Sequence, residues 1–228
     1  MANYLDLTND VNAALNEVEL TPATFSTAIG YYRDAKRAVN ASLRKINQEG
    51  VRWPFNHFTS TVTLTIDQAR YVQPVTTKEI YWDSFRILGT DTYSTTWLSP
   101  LDYEDYLRYY SDMEYNPSRY HGVPSHVVRT PDMGYVIVSP PDKAYELKFE
   151  YAATPPDLVD WDDEPTIPEV MRHVIFAGSM YYAYMFRGDL DAASLYRRDF
   201  EDGVKQMRGV YIERIEYVSS TSRGGRRR

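Results

Sequence analysis

The sequence predicts an α+β fold in which a helical bundle, built from N- and C-terminal helices, carries an inserted, mostly antiparallel β domain. Apolar residues recur every three or four positions in the first 50 residues and again after residue 165, which is the period of a helix. Between these segments the period changes to two, which is the period of a strand. Since flanking helices with short connections usually pack together, we expect the two helical segments to form one bundle.

The predicted boundaries follow these changes of period. Residues 1–56 hold the N-terminal helices and residues 57–153 the inserted β domain. Residues 154–209 hold a linker rich in proline and acidic residues, followed by a C-terminal helical hairpin that completes the bundle. Residues 210–228 form an extended C-terminal arm that ends in a basic tail.

The N-terminal segment is predicted to hold a short helix over residues 4–20 and a long helix over residues 22–48. Thr21 can cap the long helix, and Pro22 suits its first turn. At 1.5 Å per residue this helix would be a rod of roughly 40 Å. Its apolar and small residues form one narrow stripe, typical of the packing seam of a bundle or coiled coil. The stripe consists of Phe25, Ala28, Tyr32, Ala35, Val39, Ser42 and Ile46.

A corner follows the long helix. Gly50 ends the helical pattern, and Pro54 disfavours helical geometry for Trp53. The chain therefore changes direction at Trp53, Pro54 and Phe55, which we interpret as a hinge.

The β domain is predicted from short alternating segments separated by turn residues. We expect residues 98–110 to form a short helix, with Ser99 as its cap and Pro100 in its first turn. Residues 111–124 are expected to form an exposed loop. The predicted strands cover residues 59–66, 71–72, 79–82, 86–88, 125–129, 135–139 and 145–151.

The C-terminal hairpin begins with a capping-box pattern, Thr166 followed by Glu169. The helix that follows is apolar almost all round up to residue 186 and is therefore predicted to be buried, with His173 as a hydrogen-bonded core residue. Gly188 is expected to close this helix and Asp189 to cap the next, which ends near Gly209.

Composition excludes several classes of protein. The chain has no cysteine, so it has no disulfide and no zinc–thiolate site. No run of about 18 apolar residues is present, so no membrane span or membrane partner is predicted, and the first residues lack the pattern of a signal peptide. The net charge of −7 becomes −11 when the four arginines of residues 221–228 are left out. An acidic body of this kind repels phosphate backbones. The 21 tyrosines fit either an interface or a tyrosine-rich β core.

The sequence gives no positive support for catalysis, a cofactor or a metal site. The acidic residues of segment 157–164 lack the spacing of an EF-hand loop and are interpreted as a solvated linker. His121 and His126 lack a third ligand at metal spacing and are interpreted as surface residues. Neither a nucleophile elbow nor a phosphate-binding loop is present. We therefore predict no catalytic residue, no cofactor and no metal ligand.

The basic tail, residues 222–228, has two interpretations. It can dock on an acidic surface or on nucleic acid, or it can be a disordered terminus that only adds solubility. An arm with alternating Tyr and Ile residues leads directly into it, which favours docking.

Three features together resemble the head-to-tail adaptor, or connector, proteins of short-tailed bacteriophages, the group that includes tail tubular protein A. The first is the long helix closing with Ile46 and Asn47, then Gly50, Trp53, Phe55 and Asn56. The second is the β insertion that begins directly after it. The third is the late helical hairpin with Pro168 and Glu169 at its start, aromatic residues up to Phe186, Gly188 and Asp189 at its corner and a charged helix to Met207.

The resemblance implies a structural virion protein of the tail or neck, assembled in the host cytoplasm. It would form a dodecameric ring between the portal protein and the tail nozzle protein, and double-stranded DNA would pass through the ring without sequence-specific binding. Ring packing would use Phe25, Tyr32, Val39 and Ile46. The portal-docking arm would present Tyr211, Ile215, Tyr217, Arg223, Arg226, Arg227 and Arg228.

Two other functions stay open at the level of the sequence. One is a monomeric or dimeric module whose β domain binds a ligand such as a glycan through the Tyr and Trp residues of the 93–120 loops. The other is a hydrolase that uses carboxylates of the acidic loops, which would be clustered and would have shifted pKa values.

Overall fold

The computed structural model describes residues 2–48, 52–89 and 94–212, and its contacts divide the chain into two units. The helical unit comprises residues up to Ile46 and from Asp160 onward. The β unit comprises Asn47–Val159. The fold class is therefore the predicted one, an α+β protein with helices at both ends and a mostly antiparallel β insertion between them.

The helical unit contains five helices within the described residues. They are α1 (Tyr4–Ala14), α2 (Pro22–Phe25), α3 (Tyr31–Gln48, whose last two residues belong to the β unit), α7 (Arg172–Arg187) and α8 (Leu190–Tyr211). Helix α1 begins at a capping box, in which Asn3 accepts from the Asp6 amide and Asp6 accepts from the Asn3 amide. Its Tyr4 and Leu5 amides donate to the carbonyls of Asp163 and Trp161 at 2.8 and 3.0 Å. Part of the acidic segment, interpreted above as a solvated linker, therefore holds the start of α1.

The predicted long helix over residues 22–48 is wrong, because the chain breaks it into α2 and α3. Residues 26–30 separate the two helices, and Gly30 has φ +60°, which lies outside the helical region. A glycine adopts this angle without the clash that a side chain would cause. The predicted stripe continues within α3, where Ala35, Val39 and Ile46 are all buried.

The C-terminal hairpin forms as predicted at its corner but not at its start. Gly188 has φ +79°, and the Asp189 side chain accepts from the Ala192 amide at 3.1 Å. The predicted capping box is wrong, because a 3-10 turn over Glu169–Met171 precedes α7. Glu169 instead accepts a hydrogen bond from the Ala2 amide at 2.6 Å.

Helices α3, α7 and α8 meet at Gly178. The Ser42 hydroxyl of α3 donates to the Ile175 carbonyl of α7 at 3.1 Å. A Cβ atom at Gly178 would lie 2.2 Å from the Ser42 Oγ and 2.7 Å from the Phe200 ring, so this position has no room for a side chain. His173 of α7 is exposed, and its predicted place in the core is wrong.

The β unit contains two sheets. In the first, strand order is β1–β9–β4–β5, and β3 also pairs with β9. In the second, strand order is β2–β8–β7–β6, with β6 and β7 the one parallel pair among the described strands. The strands of the first sheet are β1 (His57–Thr63), β3 (Thr77–Ile80), β4 (Arg86–Ile87), β5 (Thr96–Trp97) and β9 (Glu146–Ala153). Those of the second sheet are β2 (Arg70–Val72), β6 (Ser99–Leu101), β7 (His126–Arg129) and β8 (Gly134–Val138).

The second sheet lies between the first sheet and a helical layer. Tyr135 and Ile137 of β8 pack into the same core as Phe149 of β9. Val136 of β8, on the opposite face, packs with Tyr106 of α4. The helical layer consists of α4 (Tyr103–Tyr109), α5 (Ser111–Tyr115) and α6 (Pro117–Tyr120).

Two predictions for this layer are wrong. Residues 99–101, predicted as the start of a helix, form edge strand β6, where Pro100 is tolerated because an edge strand leaves one row of amides unpaired. The helix α4 begins later and is capped by Asp102, which accepts from the Glu104 amide at 3.0 Å. Residues 111–124, predicted as a loop, contain α5 and α6.

Candidate assembly surfaces

The residues predicted to pack the ring lie mostly inside the helical unit of their own chain. Phe25, Val39 and Ile46 are buried, and Tyr32 is half-buried. Phe25 contacts the Tyr4 ring edge to face at 5.0 Å. Because they are mostly buried, these side chains contribute to the core of their own chain. Their role in packing between copies stays a prediction.

Exposed apolar side chains occur instead around the α7–α8 corner. Met185 and Phe186 at the end of α7 are 42% and 49% exposed, and Leu190 and Leu195 at the start of α8 are 65% and 70% exposed. The sequence predicted that α7 would be buried all round. Because α7 is apolar on every side, the neighbouring elements of the same chain do not bury all of its apolar side chains. Met185 and Phe186 therefore remain partly exposed to solvent.

The predicted hinge is a packed corner of the β unit. Trp53 is 2% exposed and stacks on Phe55, with ring centroids 5.4 Å apart. Pro54 opens a 3-10 turn, and the Asn56 side-chain amide donates to the Asn47 side chain at 2.8 Å. The structure thus brings the three predicted residues together at one turn, and their role as a hinge stays a prediction.

An ion-pair cluster joins three strands on the solvent face of the first sheet. Arg86 and Thr59 donate to the Glu150 carboxylate at 2.7 and 2.6 Å, and His57 Nε2 lies 3.0 Å from it. Burial acts to raise the pKa of Glu150, but the hydrogen bonds from Arg86, Thr59 and His57 outweigh it and lower the pKa to about 2. Trp97 covers this cluster from β5, with its ring 5.3 Å from the Arg86 guanidinium.

A second cluster fixes the helical layer to the second sheet. Arg70 of β2 forms a bidentate ion pair with Glu114 of α5, and Tyr106 of α4 donates to the same carboxylate at 2.7 Å. Burial acts to raise the pKa of Glu114, yet the Arg70 and Tyr106 hydrogen bonds lower it. Burial, together with this negative partner, raises the pKa of the Tyr106 hydroxyl. The carboxylate is therefore held ionised as a structural anchor.

The carboxyl groups with shifted pKa values bear on the hydrolase hypothesis. In the part of the chain that the structure describes, every such shift is downward. A general acid needs a raised pKa, so these groups are suited to ion pairs rather than to proton donation. The sequence did not indicate the Arg52–Glu79, Arg70–Glu114 and Arg86–Glu150 pairs, because their members lie 27, 44 and 64 positions apart.

The histidines singled out above lie apart from any metal-type cluster. His121 Nδ1 is 3.1 Å from Asp67, and His126 Nδ1 is 2.9 Å from the Ser125 hydroxyl. Among residues 2–48, 52–89 and 94–212, no group of three or more His, Asp or Glu side chains is arranged to hold a metal ion. Within the same residues, no helix is long and apolar enough to cross a membrane.

The predicted docking arm begins at the edge of the described chain. Tyr211 is the last residue of α8 and is half-buried, so α8 runs two residues past its predicted end. Ile215, Tyr217, Arg223, Arg226, Arg227 and Arg228 lie outside the described residues.

The architecture defines the class of the fold as mixed α+β, with helices at both ends of the chain and a β unit of two packed sheets between them. The sequence matches the SU10 adaptor protein family over residues 2–227, and the chain therefore belongs to that family. It is accordingly a structural adaptor of a bacteriophage virion, which confirms the resemblance seen in the sequence and points to a non-enzymatic role. A comparison with curated proteins found no match.

Proposed function

We propose that this protein is the head-to-tail adaptor that joins the portal protein to the tail nozzle as a dodecameric ring. The observation that carries the proposal is the family match over nearly the whole chain, together with a helical bundle that carries a β insertion. Double-stranded DNA would pass through the centre of the ring.

Exposed apolar surface in the helical unit supports assembly into a larger structure. Phe186, Leu190 and Leu195 are each about half exposed or more, although they are apolar. Soluble monomers seldom expose such neighbouring apolar side chains, which more often mark contacts with another protein. We propose that these residues pack against a neighbouring copy or the portal, alongside the half-buried Tyr32.

Charge supports the separate roles of body and arm. Without residues 221–228 the chain carries −11, so its body does not retain a DNA backbone that has to pass through the ring. The arm, with Tyr211, Ile215 and Tyr217 leading to Arg223, Arg226, Arg227 and Arg228, would dock on the portal through its positive end. The nozzle would contact the β unit.

The mass of the purified protein, measured by light scattering alone and after mixing with a candidate portal, tests this function. We expect the 26.5 kDa chain to join the portal in twelve copies, whether or not it forms a ring alone. A chain that stays monomeric and binds no portal would contradict the adaptor role. Screening of the β unit for glycan binding would then come next.

A further inference from the structure

Strand β1 forms one edge of the first sheet and is open on its outer side. It pairs with β9 along its full length, from His57 opposite Ala152 to Thr63 opposite Glu146, without a bulge. The sheet order places β1 at the end of its path. No other described strand pairs with it.

The register shows which backbone groups face outward. The Leu64 amide donates to the Tyr145 carbonyl at 2.8 Å and continues the same register, so the even-numbered residues of β1 are those bonded to β9. The amides and carbonyls of Thr59, Thr61 and Thr63 therefore point away from the sheet. Within the described chain, none of these outward groups has a backbone partner.

This edge lacks the features that usually prevent strand addition. Protected edges are short, bulged, or carry proline or charged side chains. Strand β1 has seven residues, His-Phe-Thr-Ser-Thr-Val-Thr, with no proline, lysine or acidic residue. Val62 packs against the core, Phe58 lies on the same side but is 41% exposed, and three threonines lie on the solvent face. An open edge of this length and composition is suited to receiving a further strand.

We propose that residues 213–221 of a second copy of this chain add to β1 as an antiparallel or parallel strand. Helix α8 ends at Tyr211, and Ile212 is already extended, with φ −104° and ψ 114°. The nine residues that follow, Glu-Arg-Ile-Glu-Tyr-Val-Ser-Ser-Thr, contain no glycine or proline. Their length matches the seven-residue edge, and Ile, Tyr, Val and Thr favour strands.

The alternation of this segment fits the two faces of the sheet. Ile215 and Tyr217 share one side and would lie beside the partly exposed Phe58 and beside Val62 on the apolar face. Arg214 and Glu216 share the other side and would lie on the solvent face, where β9 presents Glu146, Lys148 and Glu150. Their direct neighbours on that face would be the exposed side chains of Thr59, Thr61 and Thr63 of β1, so both charges would stay in contact with water.

This inference rests on the proposed adaptor function and refines it. It moves Ile215 and Tyr217 from the portal contact to a contact between neighbouring copies. Arg223, Arg226, Arg227 and Arg228 lie beyond the paired segment and remain available to the portal.

Cysteine cross-linking between copies of the full chain tests the pairing. The chain has no cysteine, so single variants are unambiguous. Thr61→Cys is mixed with Arg214→Cys, Glu216→Cys or Val218→Cys in separate reactions, in the assembly formed alone or on the portal, because these side chains would share the solvent face with Thr61. Adjacent strands place Cα atoms about 5 Å apart, within disulfide range. We expect at least one mixed disulfide. Val72→Cys, also exposed and on an edge strand of the other sheet, is the control and should give none.

The outcomes separate the inference from the function on which it rests. If twelve copies bind the portal but Thr61→Cys forms no mixed disulfide, the strand pairing is overturned and the adaptor function stays intact. Failure to assemble, alone or on the portal, would overturn both. Equal cross-linking by Val72→Cys would show random collision and would also overturn the pairing.

A proline variant provides an independent measurement. Thr61→Pro removes an amide that points outward and makes no bond to β9, so the fold should keep its melting temperature. Thr61→Ala keeps that amide and is the matched control. We expect Thr61→Pro to raise the concentration at which copies associate about tenfold relative to Thr61→Ala, since an interstrand hydrogen bond is lost. Equal association of the two variants would contradict the pairing.

Discussion

Gly178 lies where α3, α7 and α8 meet, and its lack of a side chain permits their close approach. In Gly178→Ala the new methyl group would overlap the Ser42 hydroxyl and the Phe200 ring. We expect a loss of about 1–3 kcal/mol in the free energy of unfolding, measured with urea. Gly209→Ala in α8, which meets no atom within 4 Å, is the control and should gain about 0.5–1 kcal/mol. Equal effects would argue against close packing at Gly178.

Asn12 is a buried polar residue of α1 whose side-chain amide finds no hydrogen-bond partner in the described chain. An unsatisfied buried amide costs about 1–3 kcal/mol, so Asn12→Leu should preserve or increase the free energy of unfolding. Asn12→Asp should lower it at neutral pH, because it buries a charge. Urea unfolding of both variants measures these effects. A strongly destabilised Asn12→Leu would indicate a polar partner for this side chain.

The ionised Glu150 carboxylate makes the stability of the β unit depend on pH in the acidic range. Its pKa is lowered to about 2 in the folded chain, below the unfolded value of about 4.3. A lowered folded pKa contributes stability that is present above the unfolded pKa and is lost as pH falls through the folded pKa. We therefore expect thermal stability to fall between about pH 4.3 and pH 2. The fall should be shallower in Glu150→Gln than in Glu146→Gln, a control on the same strand and face.

At the scale of elements, the helical layer of the β unit depends on the Arg70–Glu114–Tyr106 cluster. The Glu114 carboxylate accepts from Arg70 of β2 and from Tyr106 of α4, so it links the helical layer to the sheet. In Glu114→Ala we therefore expect α4 and α5 to unfold locally while β7 and β8 stay paired. We expect amide hydrogen exchange over residues 103–115 to become about tenfold faster. Asp112→Ala on the same helix is exposed and serves as control. Uniformly faster exchange across the whole unit would contradict this local role.

The elements also show what sequence periodicity can resolve. Strands β7, β8 and β9 were predicted within two residues of their observed bounds, because their alternation and turn residues agree. The elements of segment 98–124 were not predicted correctly, because the Ser99–Pro100 pair is compatible both with the start of a helix and with an edge strand. Pairing of β6 with β7, which are distant in the sequence, decided between them. Likewise, one positive φ at Gly30 divides a helix whose apolar period continues across the break.

At the scale of the whole molecule, the basic arm should act independently of the fold. Deleting residues 219–228 removes four arginines and no part of the described structure, so the melting temperature should not change. Portal attachment should be lost, as measured by co-sedimentation. In the intact chain, attachment should weaken as salt rises, because exposed charges are screened. A deletion variant that attaches normally would exclude the arm as the docking element.

The sequence by itself determined the class of this protein and its family. Helical and strand periods occupy long separate segments, and local physical chemistry sets those periods whatever the final packing. The same holds for the Gly188–Asp189 corner, where helix end and helix cap are local. Only the tertiary structure decided which apolar surfaces are covered. It buried Val39 and Ile46, exposed Phe186 and Leu190, and left β1 as an open edge. Coverage depends on neighbours far away in the chain, and a pattern within one segment carries no information about them.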